Sequence, residues 1–345
     1  MASVYRNLAI GVIAIFGLIT LHHLYGPSNS AITRDTLDQW RLTLARQNDK
    51  AKFALENDAA QEDKKSADSS ATTTVSKSQQ QLGTAIRSCV VDSKQHIWLN
   101  FVAVLRSCIY EHSTITNETQ FLALRMGRFG EIKYFLPLVA EDERPQGFSC
   151  NWLTIGIGGD SKVEQQFKRT YPECQLYGVE PGPDQHAKFA DYGTVIPVAV
   201  GVQSGKLTMR LRKGATYVFK EVPIEPLPEV LDTHLHSRLV HFSTLDIEGF
   251  EYPLLRALFK GEPFDTAGLT FCQLDIELHS PEMVVKFNGG LKDFDDFDKF
   301  FRDFVNATNY VPVFAETFLS HRKVTFVNPT VPDCVRAFDL AKYLT

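Results

Sequence analysis

Leu153-Thr154-Ile155-Gly156-Ile157-Gly158-Gly159-Asp160, followed about twenty residues later by Tyr177-Gly178-Val179-Glu180-Pro181, decides the fold. The first stretch reads as a buried strand that runs into a glycine-rich turn and then a helix. The second reads as a neighbouring strand that ends in one acid. Glycines let the backbone come close to a ligand, and a strand-end carboxylate accepts hydrogen bonds from two ribose hydroxyls. That order suits a cofactor containing adenosine, with Gly156, Gly158, Gly159 and Asp160 in the turn and Glu180 on the ribose. Read conservatively, the glycines only make a tight turn and Glu180 caps a helix or pairs with a lysine.

Outward from this pair, strands and helices alternate. Helices are expected at Lys162 to Thr170, Asp184 to Tyr192, Pro228 to His236, Tyr252 to Phe259 and Leu291 to Val305. Strands are expected at Leu153 to Ile157, Gln175 to Glu180, Val195 to Val200, Lys206 to Leu211, Leu239 to Asp246 and Leu269 to Glu277. Tyr310 to Ala315 and Lys323 to Val327 read as two closing strands. The alternation predicts an α/β fold: a Rossmann-like, mostly parallel sheet with helices on both faces and an antiparallel closing strand. Before it, Ile97 to Tyr110 and Thr119 to Leu136 read as helices. No internal repeat is visible.

Two more strand ends carry charge: Asp246-Ile247-Glu248-Gly249 and Asp275-Ile276-Glu277-Leu278-His279. Ligands bind beyond the carboxyl ends of the strands in an open parallel sheet. Alternation puts Asp246 and Glu248 on one side, and likewise Asp275, Glu277 and His279. Unpaired charge is costly to bury, so these groups are expected to line a wet cleft.

The N-terminus has a different character. Leu8 to Leu21 is almost wholly apolar and follows Arg6, which predicts a signal-anchor with a cytosolic end over residues 1–26, or a cleaved signal peptide. Residues 27–85 are polar and read as a largely disordered stem, with a possible polar helix at Thr36 to Leu55. A helical extension over 86–150 and the cofactor-binding domain over 151–345 complete the layout. It is that of a single-pass type II membrane protein facing the Golgi or ER lumen, or of a secreted protein if the N-terminal segment is removed. Asn117-Glu118-Thr119 and Asn306-Ala307-Thr308 are glycosylation acceptors. The six cysteines all follow the stem. They allow 15 pairings, with buried free thiols at Cys174 and Cys272 as the alternative. No C-x-x-C or Cys/His cluster suggests zinc, and no metal is expected. A net charge of −5 and a pI of about 6.1 give no reason to expect nucleic-acid binding.

From Trp152 to about Phe338 the chain resembles the FkbM-type methyltransferases, and most closely the set expanded in nematodes. The residues that carry the resemblance are Thr154 to Asp160, Tyr177 to Pro181, Pro197 to Gly201, Leu245-Asp246-Ile247-Glu248-Gly249-Phe250-Glu251 and Cys272 to His279. The Asp-Ile-Glu-Gly-x-Glu box is the most specific. The resemblance implies a Rossmann-like domain that binds S-adenosylmethionine. Gly156 and Gly158 would face the cofactor, Glu180 would hold its ribose, and Asp246 and Glu248 would lie near the reacting end. Many such enzymes have an acid two positions before the first glycine, where this chain has Thr154; Asp160 is one possible substitute. The expected activity is O-methylation of a glycan, glycolipid or small molecule in the secretory pathway, with Asp246 and then His279 as candidate bases. Two rivals stand beside it. One is a type II glycosyltransferase that grips a manganese–nucleotide-sugar complex. The other is a non-catalytic binding or scaffold protein on the same fold, for which Thr154 is the motive.

Overall fold

The structure, a computed structural model, describes residues 81–127, 130–144, 147–213, 216–280 and 296–345. The expected anchor, nearly all of the stem, and the first part of the helix read at Leu291 to Val305 lie outside the described residues. Among the described residues no helix is long and apolar enough to cross a membrane.

The central sheet has seven strands. In chain order they are β3 (Asn151–Ile155), β4 (Gln175–Val179), β5 (Thr194–Ile196), β9 (Leu239–Leu245), β10 (Thr270–Leu278), β11 (Val311–Phe318) and β12 (His321–Val327). Their spatial order is β11-β12-β10-β9-β3-β4-β5. β10, β9, β3, β4 and β5 are mutually parallel, and β12 runs antiparallel to both β10 and β11. β3 and β9 are spatial neighbours far apart in sequence, and from them the chain winds outward in both directions. This is the switch point at which such sheets open a crevice beyond their carboxyl ends. As the sequence suggested, this end of the sheet is antiparallel. β11 and β12 form a hairpin, and the returning β12 slots between β10 and β11.

β9 and β10 are buried along nearly their whole length, including Ser243, Gln273 and Asp275, as expected of strands covered on both faces. Trp152, Phe167, Phe242 and Phe135 interlock edge-to-face and by stacking beneath the sheet. α3 (Lys162–Thr170) buries Val163 and Phe167, one turn apart, and carries Lys168 and Arg169 in its last turn, where cations favour the helix dipole.

Several expectations fail for local reasons. Thr119 to Leu136 is not a helix but a hairpin of β1 (Leu122–Arg125) and β2 (Ile132–Phe135). Glycines at 127 and 130 interrupt the apolar pattern, and Gly130 has φ 71°. Asp184 to Tyr192 forms two 3₁₀ turns, Pro183–Gln185 and Phe189–Asp191, separated by Ala187 at φ 50°. The strand read at Val195 to Val200 is divided at Pro197. Its halves are β5 and β6 (Ala199–Gly201), which join different sheets. β6 pairs with β8 (Thr216–Pro226), which pairs with β7 (Gly205–Lys213). β8 is largely exposed, and it contains Pro223 and Pro226, residues that speak against a strand in a sequence reading.

All six cysteines are paired, as Cys89–Cys108, Cys150–Cys174 and Cys272–Cys334. Free thiols at Cys174 and Cys272 are therefore excluded. The first bridge joins α1 (Thr84–Asp92) to α2 (Phe101–Glu111); α1 packs on α7 (Phe297–Ala307) and on β11, and α2 on β11.

Candidate active site

β3 ends at Ile155, and the chain turns through Gly156, Gly158 and Gly159, all at positive φ. β4 ends beside it. The Glu180 carboxylate accepts from the Gly158 N–H at 3.3 Å and from the Gly182 N–H at 2.8 Å. The two motifs that opened the sequence reading are therefore in direct contact. Glu180 is buried, and burial raises its pKa against the pull of those two N–H groups. A cleft opens above them, with about 770 Å³ of empty space counted out to its mouth. Its floor is Gly156, Gly158, Glu180 and Asp246, and its apolar wall is Val198, Val200, Met209 and Leu211. Such a mixture of apolar wall and a few convergent polar groups suits a small-molecule site.

Gly156 has a second duty. A Cβ there would lie 2.0 Å from the Asp246 carbonyl oxygen, so the glycine lets the ends of β3 and β9 come together. Gly159 donates its N–H to the Gln185 carbonyl at 2.8 Å. Asp160 accepts from the Lys162 N–H at 2.9 Å, at the start of α3. Neither Gly159 nor Asp160 lines the cleft. The acid nearest Thr154 is Glu164 on α3, which accepts from the Thr154 hydroxyl at 2.6 Å. Burial pushes the Glu164 carboxyl up to about 7, the Thr154 hydrogen bond only partly opposing it.

The Asp-Ile-Glu-Gly-x-Glu box folds into a tight turn from β9 into α5 (Glu251–Ala257). Glu248 sits at φ 58° and Gly249 at φ 101°, a strained conformation that such sites tolerate when neighbours hold it. Glu251 is fully buried. One of its oxygens accepts from the N–H groups of Ile247 at 2.9 Å and Gly249 at 3.1 Å, and faces His279 Nδ1 at 2.9 Å. Glu251 thus braces the turn and aims the imidazole. His279 Nε2 then faces Asp246 Oδ1 at 3.9 Å and Glu248 Oε2 at 4.0 Å. The Tyr217 hydroxyl donates to Glu248 at 3.0 Å from β8, closing one side of the cleft.

The electrostatics follow from these contacts. Burial alone would lower the His279 pKa, but Glu251, then Asp246 and Glu277, raise it to about 10. Burial lifts Asp246 to about 6 despite His279 and Lys133. Glu251 goes the other way, since His279 and the backbone donors outweigh its burial.

Asp246, Glu248 and His279, read from sequence as the reacting end, therefore meet at one place, and Gly156, Gly158 and Glu180 line the same cleft. The sequence reading missed Glu164, Glu251 and Tyr217. Glu251 was legible as the last acid of the box. Glu164 was legible only as an acid next to Val163 on the buried stripe of α3. Nothing in the sequence marked Tyr217.

The family described as the methyltransferase FkbM domain matches residues 111–311. Among curated proteins no match is found. Among solved structures, the chain is similar to the 16S rRNA (adenine(1408)-N(1))-methyltransferase of Catenulisporales acidiphilia in a mutant form, at 12% identity and a TM-score of 0.27, over 60% of this chain and 98% of that one. The same protein with its cosubstrate SAM gives 12% identity and 0.30, with the same coverage. The antibiotic-resistance methyltransferase Kmr gives 14% identity and 0.28, over 60% of this chain and all of that one.

Proposed function

The chain belongs to the methyltransferase FkbM domain family, and from that premise we propose that it moves a methyl group from S-adenosylmethionine to a hydroxyl of a glycan, glycolipid or small molecule. The observation that carries the reading is the Glu180 carboxylate, held by the N–H groups of Gly158 and Gly182 on the floor of the cleft. A buried carboxylate beside a glycine turn fits the two hydroxyls of a ribose, and the apolar wall of Val198, Val200, Met209 and Leu211 fits an adenine ring. Glu164, hydrogen-bonded to Thr154, is the acid nearest that position, but like Asp160 it does not line the cleft. Bound there, S-adenosylmethionine supplies an electrophilic methyl on sulfonium sulfur.

The chain's own work is alignment and proton removal. Holding a hydroxyl in line with the methyl can account for much of the rate. Asp246 lines the cleft and is the candidate to take the acceptor proton; His279, the second base expected from sequence, is held protonated by Glu251 and the neighbouring carboxylates and does not serve as base. Glu248, fixed by Tyr217, faces the acceptor side.

We read the chain as a type II membrane protein whose domain lies in the Golgi or ER lumen. Three disulfides support an oxidising compartment. Asn117 is exposed in a 3₁₀ turn, accessible to glycosylation.

The test is calorimetric titration of S-adenosylmethionine into wild type and Glu180→Gln. Wild type is expected to bind, and the variant to bind more weakly by about 1.5–3 kcal/mol, the scale of hydrogen bonds to a charged group. Absence of binding to wild type, or equal binding by both, overturns the assignment of the cleft.

A further inference from the structure

Behind the cleft lies a group of donors that methyl transfer leaves unused. Glu277 is the last residue but one of β10, His279 follows the strand, and His321 opens β12 across the antiparallel ladder. One donor atom from each lies within 4.8 Å of the others. The two imidazole centroids are 4.4 Å apart, and His321 Nε2 is 3.9 Å from Glu277 Oε1.

Among the described residues, His279 Nε2, the His321 ring and the Glu277 carboxylate make no hydrogen bond. His279 is 3% exposed. Its Nδ1 is engaged by Glu251 at 2.9 Å, while its Nε2 meets carboxylates only at 3.9 and 4.0 Å. His321 Nδ1 is buried without a partner, and its Nε2 comes no nearer than the Glu277 contact above. Glu277 is 6% exposed. The nearby cation Lys133 is directed elsewhere, to Glu131 at 2.9 Å and Asp275 at 3.4 Å.

This is an oriented ligand set. A histidine that binds a metal through one nitrogen usually gives the other to a carboxylate, which fixes tautomer and ring; Glu251 does this for His279. Glu251 Oε1 is already taken by the N–H groups of Ile247 and Gly249 and by His279 Nδ1, and its other oxygen is buried without a partner. Two imidazoles and one carboxylate suit a divalent ion of intermediate softness, with coordination positions left over. Two donors on a tetrahedral ion with bonds of about 2.1 Å stand about 3.4 Å apart. The observed separations close to that with side-chain shifts below about 1 Å.

We propose that Glu277, His279 and His321 bind one divalent cation of the Mn²⁺ or Zn²⁺ type. The sequence reading expected no metal, because the three ligands are brought together only by the β10–β12 pairing. Resting on the methyl-transfer reading, the ion would lie beyond Asp246 and Glu248 and hold an oxygen of the acceptor. The binding claim itself needs neither cofactor nor acceptor.

Equilibrium dialysis of the chelator-stripped full chain against Mn²⁺ and, separately, Zn²⁺ tests it, with retained metal measured by mass spectrometry. About one equivalent of at least one ion is expected, with affinity at least tenfold weaker in His321→Gln and Glu277→Gln. His241→Gln, a buried histidine on β9 outside the cluster, is expected to bind like wild type. His321 is at the edge of the group, so its variant carries the test even if loss of His279 unfolds the chain. Retention of neither ion by wild type, or unchanged affinity in both variants, overturns the proposal and leaves the three groups holding only protons. The cofactor titration above is run without metal, so the two readings fail separately.

Discussion

Glu164 is a buried carboxyl on α3, and its Oε2 has no hydrogen-bond partner. Its carboxyl is pushed up to about 7 from an ordinary 4.5. The folded chain therefore keeps a proton there that the unfolded chain loses first. Wild-type stability is lost on this account as pH rises from about 4.5 to about 7, and is constant above. Glu164→Gln keeps an acceptor for Thr154 and carries no titrating proton. Its stability relative to wild type is expected to climb across that window, by on the order of 3 kcal/mol in total. Urea titrations at pH 4.5, 6 and 8 measure it. Gly156→Ala is the opposite kind of change. It sets a methyl 2.0 Å from the Asp246 carbonyl at φ 93°, and is expected to cost several kcal/mol or prevent folding.

The hairpin of β7 and β8 walls the cleft while contributing little to the core. Met209 and Leu211 face the cleft, and β8 is exposed over most of its length. Truncating both to alanine removes apolar surface that a bound ring would cover. At about 25 cal/mol per Å² this lowers cofactor affinity roughly tenfold, while the thermal midpoint is expected to change by only a few degrees. A large loss of stability would instead make the hairpin a folding element. This pair also shows the limit of pattern reading. β7 was legible, but β8 was not, because Pro223 and Pro226 speak against a strand. The β1–β2 hairpin failed for a related reason: apolar residues spaced for a short helix also suit two strands, and turn glycines decided between them.

Taken whole, the molecule is fastened by its disulfides at points that local sequence does not connect. Cys272 on β10 and Cys334 on α8 (Pro332–Phe338) are 62 residues apart. Closing a loop of that length restricts the unfolded chain by about 4 kcal/mol in the entropic account. The double variant Cys272→Ala/Cys334→Ala is expected to lose stability on that scale in guanidinium titrations, with cofactor affinity retained where the fold survives, since neither residue lines the cleft.

The amino-acid sequence by itself determined the alternation of strands and helices, the glycine turn, the strand-end Glu180 and the acidic box. These are local signals: periodicity, turn chemistry and short spacings, each set within a few residues. Tertiary structure alone decided the cysteine pairing, the insertion of β12 inside the sheet, the meeting of Thr154 with Glu164 and the convergence of Glu277, His279 and His321. Those depend on which strands pair and in what register. Strand pairing is won by burial summed over the whole sheet, and no single stretch of chain records that sum.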